Sequence, residues 1–325
     1  MVNKKLVALF MTLLTAIAIL GACSSSEEKD VDSSSAEGNT EETSTREIEH
    51  VLGTTTIEGT PTKVVTLYQG ATDTILEFDV KPVGVVESWM QQPMYEYLKS
   101  DLEGVTYVGL ETQPNLEEIA ALQPDLIIAT QVRHEEIYEQ LSQIAPTVVN
   151  TNLYDIHETT TLLGQALGQE EKATSLLAEW ENRVADFKEK ISTNENYPFN
   201  VTVTNYREDH ARMYIKGFAG SILSELGFKG PTNLEGQDDL DIVRLTDKET
   251  ITQMDADVIF QFMEDNAAVQ NTYKEWTAHP LYANLEAVKN NQVFTVNEIF
   301  WNFSGGLQAA HVMLDDLYTH FELEK

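Results

Sequence analysis

The sequence predicts an α/β protein with two Rossmann-like lobes joined by one long backbone helix. Three observations predict it. Residues Gln169–Ser192 read as one uninterrupted helix, short apolar strands alternate with helices on both sides of it, and one helix-to-strand pattern recurs at equal spacing in each half. In the long helix Ala173, Leu176, Leu177, Trp180, Val184, Phe187 and Ile191 step by three or four, which lays one apolar stripe along a period of 3.6. Glu170 and Glu171 open it and Lys188 and Lys190 close it, matching the helix dipole at both ends. At about 1.5 Å per residue it spans roughly 35 Å, the width of a small domain. A core helix of one large domain has the same pattern, so the flanks decide.

The chain opens with Lys4 and Lys5, an apolar run from Leu6 to Leu20, and then Leu20-Gly21-Ala22-Cys23. A basic start, a short apolar stretch and small residues before a cut describe a secretory signal over 1–22, too short to span a membrane comfortably. The tetrapeptide resembles a bacterial lipobox, which makes Cys23 the lipidated first residue of the mature chain. Cys23 is the single cysteine, so a disulfide framework is excluded. Residues 23–45 are Ser-, Glu- and Thr-rich with almost nothing apolar, and read as a disordered tether. An N-terminal lobe over 46–168, the linking helix over 169–193 and a C-terminal lobe over 194–325 follow.

In the first lobe Lys63–Leu67 reads as a strand, Ala71–Phe78 as a helix, Pro82–Glu87 and Val105–Gly109 as strands, and Asn115–Leu122 as a helix. Asp125–Thr130 is a wholly apolar strand, followed by a helix over Glu135–Ile144, a strand at Thr147–Asn150 and a helix over Glu158–Leu167. Such apolar strands between helices predict a parallel sheet covered on both faces. After the long helix come a strand at Asn200–Tyr206, a helix at Ser221–Leu226 and a buried strand at Asp257–Phe262. A helix at Leu281–Val288, a strand at Gln292–Val296 and an amphipathic helix at Leu307–Glu322 complete the second lobe. Glu117 precedes Asp125-Leu126-Ile127-Ile128 by eight residues, and Glu249 precedes Asp257-Val258-Ile259-Phe260 by eight. Acids commonly begin helices, but the equal spacing favours a pseudo-symmetric pair.

The net charge is −32. Removing 1–22 takes away Lys4 and Lys5, leaving 19 basic against 53 acidic side chains, or −34. Nucleic acid and anionic lipid surfaces are poor partners for such a chain, and the membrane is reached through the lipid anchor only. No G-x-G-x-x-G, Walker loop, G-x-S-x-G or H-E-x-x-H is present, and the histidines show no zinc-binding spacing. The reading is therefore not an enzyme, with no cofactor and no protein-held metal.

Against the acidic background the few arginines stand out. Asn205–Tyr214 carries Arg207, His210, Arg212 and Tyr214 just past a strand, where open α/β sheets place ligands. Arginine forks suit carboxylates. The alternative is a solvated hairpin with Arg207 and Arg212 balanced by Glu208 and Asp209. In the first lobe Arg133 and His134 follow a strand, Tyr68 ends the first strand and Trp89 the second. Trp301, in Phe300–Phe303 before Gly305-Gly306, stands at another strand-to-helix crossing. All of them converge on one cleft between the lobes. His210 as an imidazolium would add a donor, with affinity falling as pH rises.

The lipobox, Thr66-Leu67-Tyr68, Pro82-Val83-Gly84-Val85, Pro114-Asn115-Leu116-Glu117-Glu118-Ile119, Pro124-Asp125-Leu126-Ile127-Ile128, Ala145-Pro146-Thr147-Val148 and Trp301-Asn302-x-x-Gly305-Gly306 together resemble one family. It is the iron–siderophore-binding lipoproteins of ABC importers, with their helical-backbone fold. The R-x-D-H-x-R-x-Y stretch at Arg207–Tyr214 and the pair Arg133-His134 look closest to Gram-positive binders of ferric citrate and citrate-based hydroxamates. The resemblance implies a monomeric receptor on the outer face of a Gram-positive membrane, handing a ferric siderophore or ferric citrate to an ABC permease and its ATPase. It also implies that Glu117 and Glu249 dock on that permease, one from each lobe. A haem or corrinoid receptor, or a surface enzyme or adhesion module, are the rival classes.

Overall fold

A two-stranded hairpin, two larger sheets and one long helix organise the chain, and the computed structural model describes residues 45–231 and 240–325. Cys23, the leader and the expected tether lie outside the described residues. The hairpin, β1 (Thr45–His50) and β2 (Gly53–Glu58), had no counterpart among the expected elements. Its residues are mostly polar and exposed, and only Ile48 and Ile57 turn inward as apolar anchors.

The first sheet runs in the order β6-β5-β4-β3-β7-β8. Its strands are β3 (Val64–Thr66), β4 (Gly84–Glu87), β5 (Thr106–Leu110), β6 (Gln113–Pro114), β7 (Leu126–Thr130) and β8 (Thr147–Asn150). All pairings are parallel except that of the short edge strand β6. Around it lie α1 (Gln69–Ile75, prolonged by a 3₁₀ turn to Phe78), α2 (Leu116–Leu122), α3 (Gln131–His134), α4 (Tyr138–Ile144) and α5 (Ile156–Leu167). The single helix expected over Glu135–Ile144 is instead a 3₁₀ turn at Glu135–Ile137 followed by α4, with α3 just before them. Ile137 leaves helical geometry before α4, as His134 does before the turn, where its buried ring is tied to Thr130 N at 3.1 Å and Glu111 O at 2.9 Å.

Helix α6 (Glu170–Ile191) is the expected bridge. Ala173 packs into the core of the first lobe, whereas Trp180, Val184, Phe187 and Ile191 pack into that of the second.

The second sheet has the order β11-β10-β9-β12-β13, from β9 (Val201–Tyr206), β10 (Ala211–Tyr214), β11 (Ile242–Leu245), β12 (Val258–Met263) and β13 (Val293–Thr295). Only β9, β12 and β13 are parallel; β10 turns back antiparallel and pairs on its other side with β11. The loop expected to carry Arg212 and Tyr214 is thus corrected to a strand. The cause is local alternation, with Ala211 and Met213 buried and Arg212 and Tyr214 on the opposite face. Helices α7 (Phe218–Glu225), α8 (Ala267–Thr277), α9 (Glu286–Lys289) and α10 (Leu307–His320) cover this sheet. Helix α8 was not expected; Asn266 caps it by accepting from Val269 N at 2.9 Å. The helix expected at Leu281–Val288 is broken by extended Leu285 into a 3₁₀ turn and α9.

The two halves share construction as well as topology. Asp125, just before β7, accepts from Lys63 N at 2.8 Å, and Asp257, just before β12, accepts from Asn200 N at 2.7 Å. Each acid ties the entrance of one parallel strand to its neighbour, so the recurring spacing reflects one repeated joint. The lobes also meet directly. Asp73 of α1 accepts from Gln308 N at 2.8 Å and Ala309 N at 3.2 Å, capping α10 from the opposite lobe. Gly306 permits this approach, since a Cβ there would lie 2.1 Å from Asp73 Oδ1.

Candidate functional site

The carboxyl ends of both sheets face one cleft, the place where open α/β sheets hold ligands. Gln69 and Gly70 follow β3, Trp89 follows β4, Glu111 follows β5 and Arg133 lies in α3 after β7. From the other lobe come Arg207 in the β9–β10 turn, Arg212 and Tyr214 on β10, and Asn302–Gly305 beyond β13. They enclose a cleft of about 200 Å³, which shares Leu153, Tyr154, Tyr214 and Ile242 with a larger hollow of about 710 Å³ between the lobes.

On the first-lobe side Arg133 Nε donates to Glu111 Oε1 at 3.3 Å, and Gln69 N donates to Glu111 Oε2 at 3.1 Å. Glu111 is only 4% exposed. Burial raises its carboxyl above the usual range, while Gln69 N and Arg133 pull the other way. The Arg133 side chain keeps 31% of its surface exposed beside this pair.

On the second-lobe side Arg207 lies 3.5 Å from Glu264 and 3.9 Å from Glu298, which is itself buried. Neither Arg207 nor Arg212 pairs with Glu208 or Asp209 as the solvated-hairpin reading required. Instead Asp209 joins Arg244 at 3.1 Å and His210 Nδ1 at 2.5 Å, and Arg212 Nε donates to His210 Nε2 at 3.0 Å. His210 holds Arg212 through Nε2 and is itself 4% exposed, so it supports that arginine in place of the direct ligand contact expected from the sequence.

Three other expected ligand contacts are corrected by burial. Tyr68 has no exposed surface, and its hydroxyl contacts Thr159 at 3.2 Å and accepts from Asn150 at 3.2 Å. Both ring nitrogens of His134 are engaged, and burial lowers its pKa to about 4, which keeps it neutral. Trp301 is fully buried in the one-turn π-helix Ile299–Phe303, donates to Asp316 at 2.9 Å and packs on Phe260. Trp89, Arg133, Arg207, Arg212 and Tyr214 do line the cleft. Trp89 is 41% exposed and stacks on Phe303 across the lobes.

Sequence reasoning passed over Glu111, Glu298, Tyr154 and Asn302. Position would have found the two acids, since Glu111 directly follows β5 and Glu298 comes shortly after β13. Several buried polar atoms here lack partners, among them Gln69 Oε1, Asn205 Oδ1, Arg207 Nε and Glu298 Oε2. Clustered unsatisfied groups of both signs suit a polar ligand better than a closed core. Among the described residues no group of three or more His, Cys, Asp or Glu side chains is placed to hold a metal ion.

Glu117 and Glu249 lie away from this cleft. Both are exposed in the first turn of a short helix, two residues after a capping side chain, Asn115 and Asp247 respectively.

Comparison with known proteins defines the class. A sequence profile described as periplasmic binding protein matches residues 64–299, and the chain belongs to that family. The achromobactin-binding periplasmic protein of Dickeya dadantii is 43% identical over 79% of this chain and 85% of its own length. The probable siderophore-binding lipoprotein YfiY of Bacillus subtilis is 38% identical over 98% of both chains. SirA of Staphylococcus aureus, solved with staphyloferrin B, aligns with a TM-score of 0.81 at 47% identity, over 86% of this chain and 99% of that one.

Proposed function

We propose that this chain is the lipid-anchored receptor of an ABC importer and captures an anionic Fe³⁺ complex of a citrate-type carboxylate chelator. The observation that carries this reading is the convergence of Arg133 with Arg207 and Arg212, from opposite lobes, on one cleft. Iron(III) is a hard ion that prefers oxygen donors, and a chelator with surplus carboxylates leaves the complex negatively charged. Arginine forks then recognise the chelator while the metal keeps its own ligands. Trp89, Tyr154, Tyr214 and Phe303 supply flat walls beside them. The names of the relatives, which concern achromobactin, a siderophore and staphyloferrin B, support the same ligand class.

Delivery uses the outer surface. Glu117 and Glu249 present one exposed acid per lobe to a two-fold permease, and Cys23 carries the lipid that keeps the receptor at the extracellular face of the membrane. Binding is tested by titrating the purified protein with ferric citrate, a ferric citrate-hydroxamate, a ferric catecholate and haemin, followed by tryptophan fluorescence. Saturation by the citrate-type complexes is expected, and saturation by haemin or the catecholate alone would overturn the reading. For delivery, the Glu117→Ala/Glu249→Ala variant should lose uptake while binding normally. Cys23→Ala should appear in the medium.

A further inference from the structure

Glu298 is poorly served for a buried carboxylate. It is 6% exposed, and its Oε1 accepts from Asn205 Nδ2 at 3.3 Å and lies 3.9 Å from Arg207 Nη2, the outer limit of an ion pair. Its other oxygen, Oε2, is buried without any partner. The groups that act on it come from several elements: Arg207 from the β9–β10 turn, Arg212 from β10, Glu264 beyond β12 and Asn302 from the π-helical turn. Tyr95, from the first lobe, also feels its charge. Arg207 is shared with Glu264 at 3.5 Å, so two carboxylates compete for one guanidinium. Burial, with Glu264 adding to it and Arg207 opposing, pushes the Glu298 carboxyl up to about 7.

An anion entering the cleft takes up the positive charge of Arg207 and removes the support for an ionised Glu298. A buried carboxylate left without a counter-charge neutralises instead of remaining charged. Glu111, its counterpart beside Arg133, differs because both of its oxygens already accept hydrogen bonds, one of them from a backbone amide.

The geometry points to Glu298 as the group that takes up a proton from solvent when the cleft captures its anionic ligand, releasing Arg207 to that ligand. Protonated, the carboxyl carries no charge, so it no longer needs the guanidinium that the ligand has taken. On release of the ligand the proton returns to solvent. Affinity then depends on pH with a definite sign: it falls by up to about tenfold per unit as pH rises above about 7, because each binding event must draw a proton. The coupling presupposes an anionic ligand as proposed above.

Isothermal titration calorimetry tests it, with ferric citrate in excess citrate and a ferric citrate-hydroxamate titrated at pH 7.5 in phosphate and in Tris. The dependence of the heat on buffer ionisation gives the protons exchanged, and protons belonging to the ligand cancel between variants. Wild type should take up about one proton more per complex than Glu298→Gln. Glu111→Gln, the second variant, should keep the wild-type count. Saturable binding with equal proton counts in wild type and Glu298→Gln overturns the coupling and leaves the ligand class standing. Should Glu298→Gln not fold, a proton count about one lower in Glu111→Gln than in wild type overturns it equally. If neither complex binds, the ligand reading fails, and the coupling with it.

Discussion

The two sides of the cleft are built from the same joint yet finished differently. In the first lobe Arg133 is pinned by a glutamate whose two oxygens both hold donors, one of them the amide that starts α1. In the second lobe Arg207 is spread between two carboxylates at 3.5 and 3.9 Å, and its own Nε is buried without a partner. Arg212 is held through Nε by His210, which leaves its outer nitrogens uncommitted. On the first side Glu111 and Arg133 complete each other, and Gln69 Oε1 is the buried cleft atom left without a partner among the described residues. The other has donors and acceptors that only a ligand or a proton completes, so binding free energy should be concentrated there.

The largest test of that contrast is truncation of the arginines. Charge-assisted hydrogen bonds are worth about 1.5–3 kcal/mol, so Arg207→Ala or Arg212→Ala should weaken binding of the ferric complex about ten- to hundredfold. Arg133→Ala should weaken it about tenfold, since part of that guanidinium is already engaged, and should also lower the melting temperature by stranding Glu111. Titration and thermal melts on the three variants decide it. Equal losses on both sides, or a larger loss at Arg133, would break the comparison.

The floor that both sides share should respond to pH. Burial pushes Asp73 up to about 7 although Tyr97 OH donates to it at 2.6 Å and Gln308 N at 2.8 Å. A carboxyl whose pKa is higher folded than unfolded contributes most below its unfolded value of about 4, and that stability is lost as pH rises through about 7. Chemical denaturation of the ligand-free protein between pH 5 and 8 should therefore show stability falling with pH, with a smaller slope in Asp73→Asn. Glu298 contributes in the same direction, so the double variant with Glu298→Gln should be flatter still. An unchanged slope in both would mean that neither carboxyl is neutral in the fold.

Much of the fold was legible because its parallel strands are buried on both faces and read as continuous apolar runs, as at Leu126–Thr130. The hairpin over 45–58 and the pair β10–β11 escaped for the opposite reason, since they alternate polar and apolar residues at an edge. The arginines were legible because so few stand in so acidic a chain. Glu111 and Glu298 were passed over among 53 acidic side chains, although each follows a strand; what sets them apart is burial, which they share with Asp73. Tyr68, His134 and Trp301 show the converse failure: each lies at a strand end as expected, but its side chain turns into the core and finds its partners there. Residue type and position along the chain select candidates, and side-chain direction, which tertiary packing sets, decides among them.

A smaller effect separates holding from touching. His210 contacts Arg212 and Asp209 and is nearly buried, so it should act on the ligand only through Arg212. In His210→Phe the ring volume stays and the acceptor is lost, which frees Arg212 to sample other rotamers. Affinity should drop about three- to tenfold, the range of one neutral hydrogen bond worth about 1 kcal/mol. A structural role alone would lower stability and leave affinity intact, whereas orientation of Arg212 predicts that His210→Phe costs nothing further once Arg212→Ala is present. A double-mutant cycle measures this directly. Additive losses would mean that His210 meets the ligand itself.

The smallest expected change in affinity is at Trp89. Its indole is 41% exposed and stacks on Phe303 of the opposite lobe with centroids 6.5 Å apart, while Trp180, Trp276 and Trp301 are buried. This stacked pair lines the same cleft as Arg133 and Arg207. Trp89→Phe retains an aromatic face, so binding should weaken by no more than about threefold, less than the loss of a charged hydrogen bond. The fluorescence response to ferric citrate should nonetheless largely vanish, because the other three indoles are shielded from the cleft. A full response in Trp89→Phe would show that a buried tryptophan senses the ligand through movement of the lobes. That result would shift weight from the unsatisfied second-lobe side to the latch at Asp73, which both lobes share.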